Sequence, residues 1–339
     1  MAALPVLHLL VPGLRGPLPP EAQDSELWRR RLPAFARIFA RARREALPAD
    51  NLIEHLRELF QLPAGELPAG ALGWLGEGGD PGQAGWLRAD PVHLRPDRDQ
   101  LMLFDAATLD LEATEAAALV AACNRLLRED GMELHAPVPD RWYLRADQPM
   151  RLRTVPVAAV AGRYLQGHLP QGEDAPRWLS LMTELQMLLH QAPENSLRED
   201  AGKLTVNGVW FWGAGTLPSV GGGWQAVVAD EPVARGLARA SGATPLPVPT
   251  HADQLPVVDR CLTVLTPLAE ALRAGDLEGW RQALEMLESR FLMPLLQRLQ
   301  ARQLAVLTLE TEGLRLTINR RDLSRFWRRP KSLRHYLEF

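Results

Sequence analysis

Short apolar runs alternate with amphipathic helical segments at both ends of the chain, and this alternation constrains the fold most strongly. The first run, residues 6–11, stops at Pro12-Gly13, as a buried strand does when it enters a loop. Near the other end, apolar runs at 262–265, 304–309 and 314–318 surround a long amphipathic pattern at 277–298. Strands that alternate with helices in this way predict an α/β sheet domain.

The middle of the chain has a different pattern, that of a compact α+β unit. It predicts a strand, a helix and two further strands, at residues 85–104, 112–128, 132–134 and 141–144. We therefore predict an inserted α+β domain over residues 85–205. The sheet core is then formed by residues 1–84 together with 206–339.

The N-terminal third also contains apolar residues at helical spacing, with arginines on the opposite face. This pattern predicts a helix over residues 25–47.

Composition narrows the class of protein. The chain of 339 residues is 46% apolar and 23% charged, which is typical of globular proteins, and its net charge of −3 argues against polyanion binding by bulk electrostatics. Its two cysteines, Cys123 and Cys261, match no metal or redox spacing and are predicted to be buried and reduced. No apolar stretch reaches the roughly 18–20 residues of a spanning helix. We therefore predict a cytoplasmic protein with no membrane partner.

One segment, residues 195–215, carries the most specific motif. It resembles a stretch of the archaeal-type cofactor-independent phosphoglycerate mutases, which belong to the alkaline-phosphatase-like superfamily. The matching positions are Asn195, Arg198, Gly202, Lys203, Asn207, Trp212, Gly213 and Gly215. The resemblance implies an alkaline-phosphatase-like sheet core sandwiched by helices, with a smaller α+β insert, and it points to a bacterial mutase-like or regulatory branch.

The positions at which this family binds metal differ in the present chain. The family's chemistry uses two divalent metals, held by Asp and His, and a Ser or Thr nucleophile. The family's Asp-Gly after the first strand is here Pro12-Gly13, and its Asp-His-Gly after a late strand is Thr311-Glu312-Gly313. Its Asp-x-x-x-His segment falls at residues 268–273, which lack both ligands. The comparison predicts no catalytic residue, no metal site and no cofactor.

These substitutions predict a pseudoenzyme that acts as a regulatory or scaffolding binding protein. Its expected partner is another protein, or a phosphorylated metabolite that it senses. A residual metal-dependent mutase or phosphatase with rearranged ligands remains an alternative.

A set of cationic and amide side chains could still bind an anion. The resemblance places this anion cradle near the substrate side of the family's cleft, where Arg offers a planar fork and Lys a point charge. The other interpretation is structural, with these side chains holding the insert to the core by ion pairs and hydrogen bonds. The cradle residues are Arg88, Arg141, Asn195, Arg198 and Lys203.

Basic residues interleave with aromatic residues near the C-terminus, a pattern that suits single-stranded nucleic acid because cations contact phosphates and rings stack on bases. A nucleic-acid-associated accessory protein is therefore a further alternative function. Two other interpretations remain open: a terminal helix whose aromatics dock on the sheet, and a surface for an acidic protein partner. The predicted contact residues are Arg325, Trp327, Arg328, Arg329, Lys331 and Arg334.

Overall fold

The computed structural model describes residues 5–16, 32–98, 100–148, 150–331 and 333–337. The chain divides into two compact units. The first unit contains Met1–Pro63 and Val220–Phe339, and the second contains Ala64–Ser219.

Twelve strands are found within the described residues. They are β1 (Val6–Leu10), β2 (Arg43–Ala46), β3 (Gly85–Asp97), β4 (Gln100–Phe104), β5 (Met132–Val138), β6 (Arg141–Ala146), β7 (Gly208–Gly215), β8 (Ala226–Val228), β9 (Thr244–Leu246), β10 (Arg260–Val264), β11 (Val306–Thr311) and β12 (Leu314–Asn319).

The helices of the same residues vary from four to sixteen residues in length. They are α1 (Pro33–Arg41), α2 (Leu52–Leu59), α3 (Ala69–Glu77), α4 (Ala113–Leu127), α5 (Val157–Val160), α6 (Ala175–His190), α7 (Pro193–Asp200), α8 (Pro232–Ala240), α9 (Pro267–Arg273), α10 (Leu277–Met286), α11 (Met293–Gln300), α12 (Arg320–Leu323) and α13 (Leu333–Leu337). A π-helical turn, Leu287–Leu292, joins α10 to α11.

The first unit is built on a seven-stranded sheet in the order β2-β12-β11-β1-β10-β8-β9. β1 pairs in parallel with β10 and β11, β8 is parallel to β10, and β9 is parallel to β8. β12 and β2 add antiparallel strands at one edge. This mostly parallel sheet, flanked by helices, confirms the predicted α/β class.

The two faces of β1 have different surroundings because side chains alternate along a strand. Leu7 and Leu9 belong to the main apolar core, together with Phe35 and Phe39 of α1. His8 points to the opposite face, where it meets polar side chains.

The helix predicted over residues 25–47 is shorter in the structure. α1 ends at Arg41, and Arg43–Ala46 form the edge strand β2 because they pair with β12. Residues 25–31 lie outside the described part of the chain.

The second unit contains a five-stranded antiparallel sheet in which β3 pairs with β4, β6 and β7, and β5 pairs with β6. α4 and α6 cover this sheet through a core that includes Leu119, Trp178 and Phe211. The unit begins at Ala64 rather than at 85 and ends at Ser219 rather than at 205. The earlier start arises because α3 packs against β3 and β7, and the later end arises because β7 pairs with β3.

None of the helices that the structure describes combines the length and the apolar character needed to span a bilayer.

Candidate functional site

Parallel neighbours β1, β10 and β11 bring their carboxyl ends to the same edge of the sheet, where ligands commonly bind in open α/β sheets. Pro12 and Gly13 follow β1, and Glu312 follows β11. The backbone N–H of Val11 donates to the carbonyl of Glu310 at 2.8 Å, so the two strand ends run side by side.

The carboxylate of Glu312 is held by the protein itself. The backbone N–H of Gly13 donates to its Oε1 at 2.5 Å, and the Thr311 hydroxyl donates to its Oε2 at 2.5 Å. The indole N–H of Trp280 donates to the carbonyl of Gly13 at 2.8 Å. Both oxygens of the Glu312 carboxylate therefore already accept hydrogen bonds.

Gly13 also lies in direct contact with α9. It has a φ of +79°, and a Cβ added there would be 2.5 Å from the backbone nitrogen of Ala269. Leu268, at the same helix terminus, is buried. The end of β1 and the start of α9 therefore touch, which leaves no gap between them at Gly13.

These residues do not fit the metal pair that the resemblance implies. Divalent metals of this kind need several carboxylate and imidazole donors, whereas Pro12 and Gly13 contribute none. Across the described residues, no group of three or more His, Cys, Asp or Glu side chains is arranged to hold a metal ion.

A buried polar cluster lies on the face of the sheet that α2 covers. Glu310 on β11 is fully buried, and its Oε1 lies 2.6 Å from Nδ1 of His55 on α2. Its Oε2 accepts from Nε of Arg315 at 2.6 Å and lies 3.0 Å from Nε2 of His8, a close contact that is poorly aligned for a hydrogen bond. The three cationic or potentially cationic partners converge on one carboxylate.

Burial by itself raises the pKa of Glu310. Hydrogen bonding to His55 and the proximity of His8 and Arg315 outweigh burial and hold the pKa of this carboxyl well below its usual value. Glu310 therefore stays ionised and is not suited to act as a general acid near neutral pH.

Sequence reasoning missed this cluster because its members are far apart in the chain. Glu310 and His55 are separated by 255 positions. The one available signal was a histidine, His8, in the middle of an apolar strand.

The structure places Arg88 and Arg141 of the predicted anion cradle on neighbouring strands, each with a carboxylate partner. Arg88 donates to Asp90, and its guanidinium lies 5.0 Å from the ring centre of Tyr143. Arg141 donates to Glu77 at 2.9 Å.

The other cradle residues lie around α7. The side-chain amide of Asn195 donates to two carbonyls, and its oxygen accepts from the N–H of Val206 at 2.9 Å. Arg198 is almost fully buried; it donates to the carbonyls of Leu204 and Leu109 and to Glu115.

Lys203 lies 3.4 Å from Asp110 and 3.7 Å from Glu112, both near the start of α4. The contacts thus divide the cradle residues into two groups, and an anion would compete with protein partners at each of them. The cradle stays a prediction.

The aromatic residues of the C-terminal segment differ in exposure. Phe326 and Trp327 are 77% and 66% exposed, whereas Tyr336 is 7% exposed and lies against Phe35 and Phe39 of α1. Of the three rings, Tyr336 therefore packs against the first unit, whereas Phe326 and Trp327 do not.

The curated proteins that match the chain belong to one family. No protein-family model matches the chain. It is 28% identical over 133 residues to a probable 2,3-bisphosphoglycerate-independent phosphoglycerate mutase of Geobacter sulfurreducens, a match that covers 39% of this chain and 33% of that one. It is 26% identical over 162 residues to the 2,3-bisphosphoglycerate-independent phosphoglycerate mutase of Methanothrix thermoacetophila, which covers 42% and 41%. The chain thus spans about a third of the first relative and two fifths of the second.

A solved structure of a Pyrococcus horikoshii protein shares the fold. It superposes with a TM-score of 0.56 at 14% identity, over 94% of this chain and 88% of that chain. Both the sequence matches and the motif at residues 195–215 point to the same family. The chain is therefore related to the archaeal-type cofactor-independent phosphoglycerate mutases.

Proposed function

We propose that this protein is a phosphoglycerate-mutase-like protein without mutase activity, which acts as a regulatory or scaffolding protein by binding. The observation that carries the proposal is the state of Glu312, whose two carboxylate oxygens accept from Gly13 and Thr311.

A metal pair needs free donor atoms at the strand ends. Two-metal phosphoryl transfer holds the metals about 3.5–4 Å apart between ligands from several segments, and these metals activate the nucleophile and stabilise the leaving oxygen. At this edge the backbone of Gly13 packs directly on Ala269, and the carboxylate of Glu312 is engaged by the protein. A metal pair would have to break these contacts and find other ligands.

A residual enzyme is the second candidate, and the cluster of Glu310, His8 and His55 is the observation in its favour. Carboxylate and imidazole are the ligand types that such metals use. The guanidinium of Arg315, however, donates to this carboxylate at 2.6 Å, and its positive charge would oppose a cation at the same oxygens. The cluster is therefore better suited to stabilise the sheet than to hold a catalytic metal.

An activity assay separates the two candidates. Purified protein, supplied with Mn²⁺, Mg²⁺ or Zn²⁺, is assayed for interconversion of 3-phosphoglycerate and 2-phosphoglycerate by a coupled readout, with the Geobacter relative as the positive control. We expect no turnover above the background without protein. Metal-dependent turnover that disappears in Glu310→Gln or Glu312→Gln would establish the residual enzyme.

We further propose that a phosphorylated metabolite is one ligand of this binding protein. Support comes from Lys203 and Arg141, whose side chains are 34% and 32% exposed, whereas those of Arg88 and Arg198 are 8% and 0% exposed. A phosphate could reach the first two without entering the core.

Thermal unfolding with and without 3-phosphoglycerate tests this ligand. We expect the metabolite to raise the melting temperature of the parent, and the shift to be lost in the variant of the group that binds it, either Lys203→Ala or Arg141→Ala. The matched control is Arg145→Ala, which removes an exposed arginine from the same strand as Arg141. An equal shift in all four proteins would refute a metabolite site at these residues.

A further inference from the structure

An exposed surface of the first unit combines two aromatic rings with many cations; we call it the aromatic–basic surface. It is formed by the edge strand β2 and by the segment from α12 to α13. Its rings are Phe326 and Trp327. Its exposed cations are Arg43, Arg44, Arg320, Arg321, Arg328, Arg329, Lys331 and Arg334.

The two stretches of chain are joined by hydrogen bonds. Arg325 donates to the carbonyl of Arg41 at 3.2 Å, and Arg328 donates to the carbonyl of Ala42 at 3.4 Å. The backbone N–H of Lys331 donates to the hydroxyl of Tyr336 at 2.9 Å. The segment is therefore fixed against the edge of the sheet, and its rings are presented on a turn of defined shape.

Charge is strongly segregated along residues 320–334, although the whole chain has a net charge of −3. On β2, the exposed carboxylate of Glu45 lies 3.3 Å from Arg315. Residues 320–334 contain seven cations and one acid, Asp322. Asp322 is buried, accepts hydrogen bonds at the start of α12 and pairs with Arg325 at 2.8 Å, so it does not offset the outer cations. A basic surface on an otherwise acidic chain is the electrostatic footprint of a polyanion site.

The rings add a second and independent feature. Phe326 and Trp327 lie edge to face with their centroids 5.4 Å apart, and both are mostly exposed. Adjacent exposed large aromatic side chains mark a binding surface more often than isolated ones do. A nucleobase can stack on either ring whatever its sequence, because every base has a π-face.

We propose that the aromatic–basic surface binds single-stranded nucleic acid. Bases stack on Trp327 and Phe326, and the phosphates contact Arg329, Lys331 and the neighbouring arginines. A single strand supplies one base and one phosphate per nucleotide, and residues 325–331 offer two adjacent rings with cations on both sides. An acidic protein would satisfy the cations but would not require two adjacent stacking platforms.

Binding is measured by fluorescence anisotropy of labelled oligothymidylate and oligouridylate of roughly 20 nucleotides, long enough to fill the ~4–16-nucleotide sites of known single-strand binders. The titrations are repeated between about 50 and 200 mM salt. Polyglutamate serves as a competitor that carries charge but no bases.

We expect binding that weakens steeply with salt, by a slope of about 0.7 for each phosphate contact. Trp327→Ala is expected to weaken binding roughly 5- to 150-fold, whereas Trp327→Phe keeps most of it because the phenyl ring still stacks. The matched aromatic control is Tyr164→Ala, which removes a ring that is 41% exposed in the second unit. Circular dichroism confirms that each variant is folded.

The double variant Arg329→Ala/Lys331→Ala is expected to lower the salt slope, and the charge-matched double variant Arg125→Ala/Arg163→Ala to leave it unchanged. No binding at the lowest salt, or equal affinity in parent and Trp327→Ala, would overturn the proposal. If polyglutamate competes as strongly as unlabelled oligonucleotide of the same charge, the surface binds an acidic protein instead. This proposal does not depend on metal binding or mutase activity. The nucleic-acid proposal and the proposed function can therefore fail separately.

Discussion

The buried carboxylate of Glu310 makes the most quantitative prediction, which concerns stability. Glu310 is fully buried, and it contacts His55 at 2.6 Å, Arg315 at 2.6 Å and His8 at 3.0 Å. The substitution Glu310→Gln keeps the size of the side chain and removes its charge. The histidines and Arg315 then lose their shared anion within the sheet.

Breaking a buried charge pair by removing one partner costs about 3–5 kcal/mol. Arg315 is 25% exposed and also lies 3.3 Å from Glu45, so part of its charge remains compensated. We therefore expect Glu310→Gln to lower the free energy of unfolding by about 3 kcal/mol, at the lower end of that range. For a unit of this size the melting temperature should fall by roughly 6–12 °C.

The pH dependence follows from the lowered pKa of Glu310. Because this carboxyl has a lower pKa in the folded protein than in the unfolded chain, its contribution is complete above the unfolded value of about 4.3 and is lost as the pH falls below it. The difference between parent and Glu310→Gln should therefore be full at pH 7 and shrink below about pH 4.

Urea unfolding at pH 7 and at pH 3.5–4 measures both effects. The control is Glu173→Gln, which removes a carboxylate from an ion pair that is about 70% exposed on both sides and should change stability by less than about 1 kcal/mol. If Glu310→Gln is as stable as the parent at pH 7, the cluster does not hold the sheet as described.

Two further predictions concern Gly13 and the cysteines. Gly13→Ala should lower the free energy of unfolding by about 3 kcal/mol or more, because it adds a clash with Ala269 to the cost of a positive φ. The control Gly242→Ala, at a φ of +78° with open space, should lose only about 1–2 kcal/mol in urea unfolding. Equal losses in the two variants would contradict the contact between Gly13 and Ala269. Burial raises the pKa of the Cys123 thiol to about 12 and that of Cys261 to about 11, so neither should react with a thiol reagent at pH 8 until the protein is unfolded, and rapid labelling of the folded protein would refute their burial.

The sequence predicted best those elements that have a strong hydrophobic pattern. The apolar runs 6–11, 262–265 and 304–309 correspond to β1, β10 and β11, since strands buried on both faces are apolar throughout. The helix predicted at 112–128 is α4, Ala113–Leu127.

Elements that depend on distant pairing were not predictable. Arg43–Ala46 carries no strand pattern and becomes β2 through its pairing with β12. We predicted that residues 206–339 belong to the sheet core, yet β7 belongs to the second unit because its partner is β3. The choice of partner strand depends on contacts far apart in sequence, which a local pattern does not contain.

The candidate site likewise contains residues that the sequence could locate and residues that it could not. Pro12 and Glu312 could be located by the resemblance, because they follow recognisable strands. The convergence of His8, His55 and Glu310 depends on how α2 packs on the sheet, and no local pattern predicts it.

Metal stoichiometry tests the central proposal most directly, namely that the strand ends of β1 and β11 do not assemble a metal pair. The protein is incubated with excess Mn²⁺ or Zn²⁺, freed of unbound metal by gel filtration and analysed by inductively coupled plasma mass spectrometry, alongside Glu312→Gln and the Geobacter relative. We predict well under one metal ion per chain in both parent and variant. Two metal ions per parent chain, reduced in Glu312→Gln, would contradict the proposal.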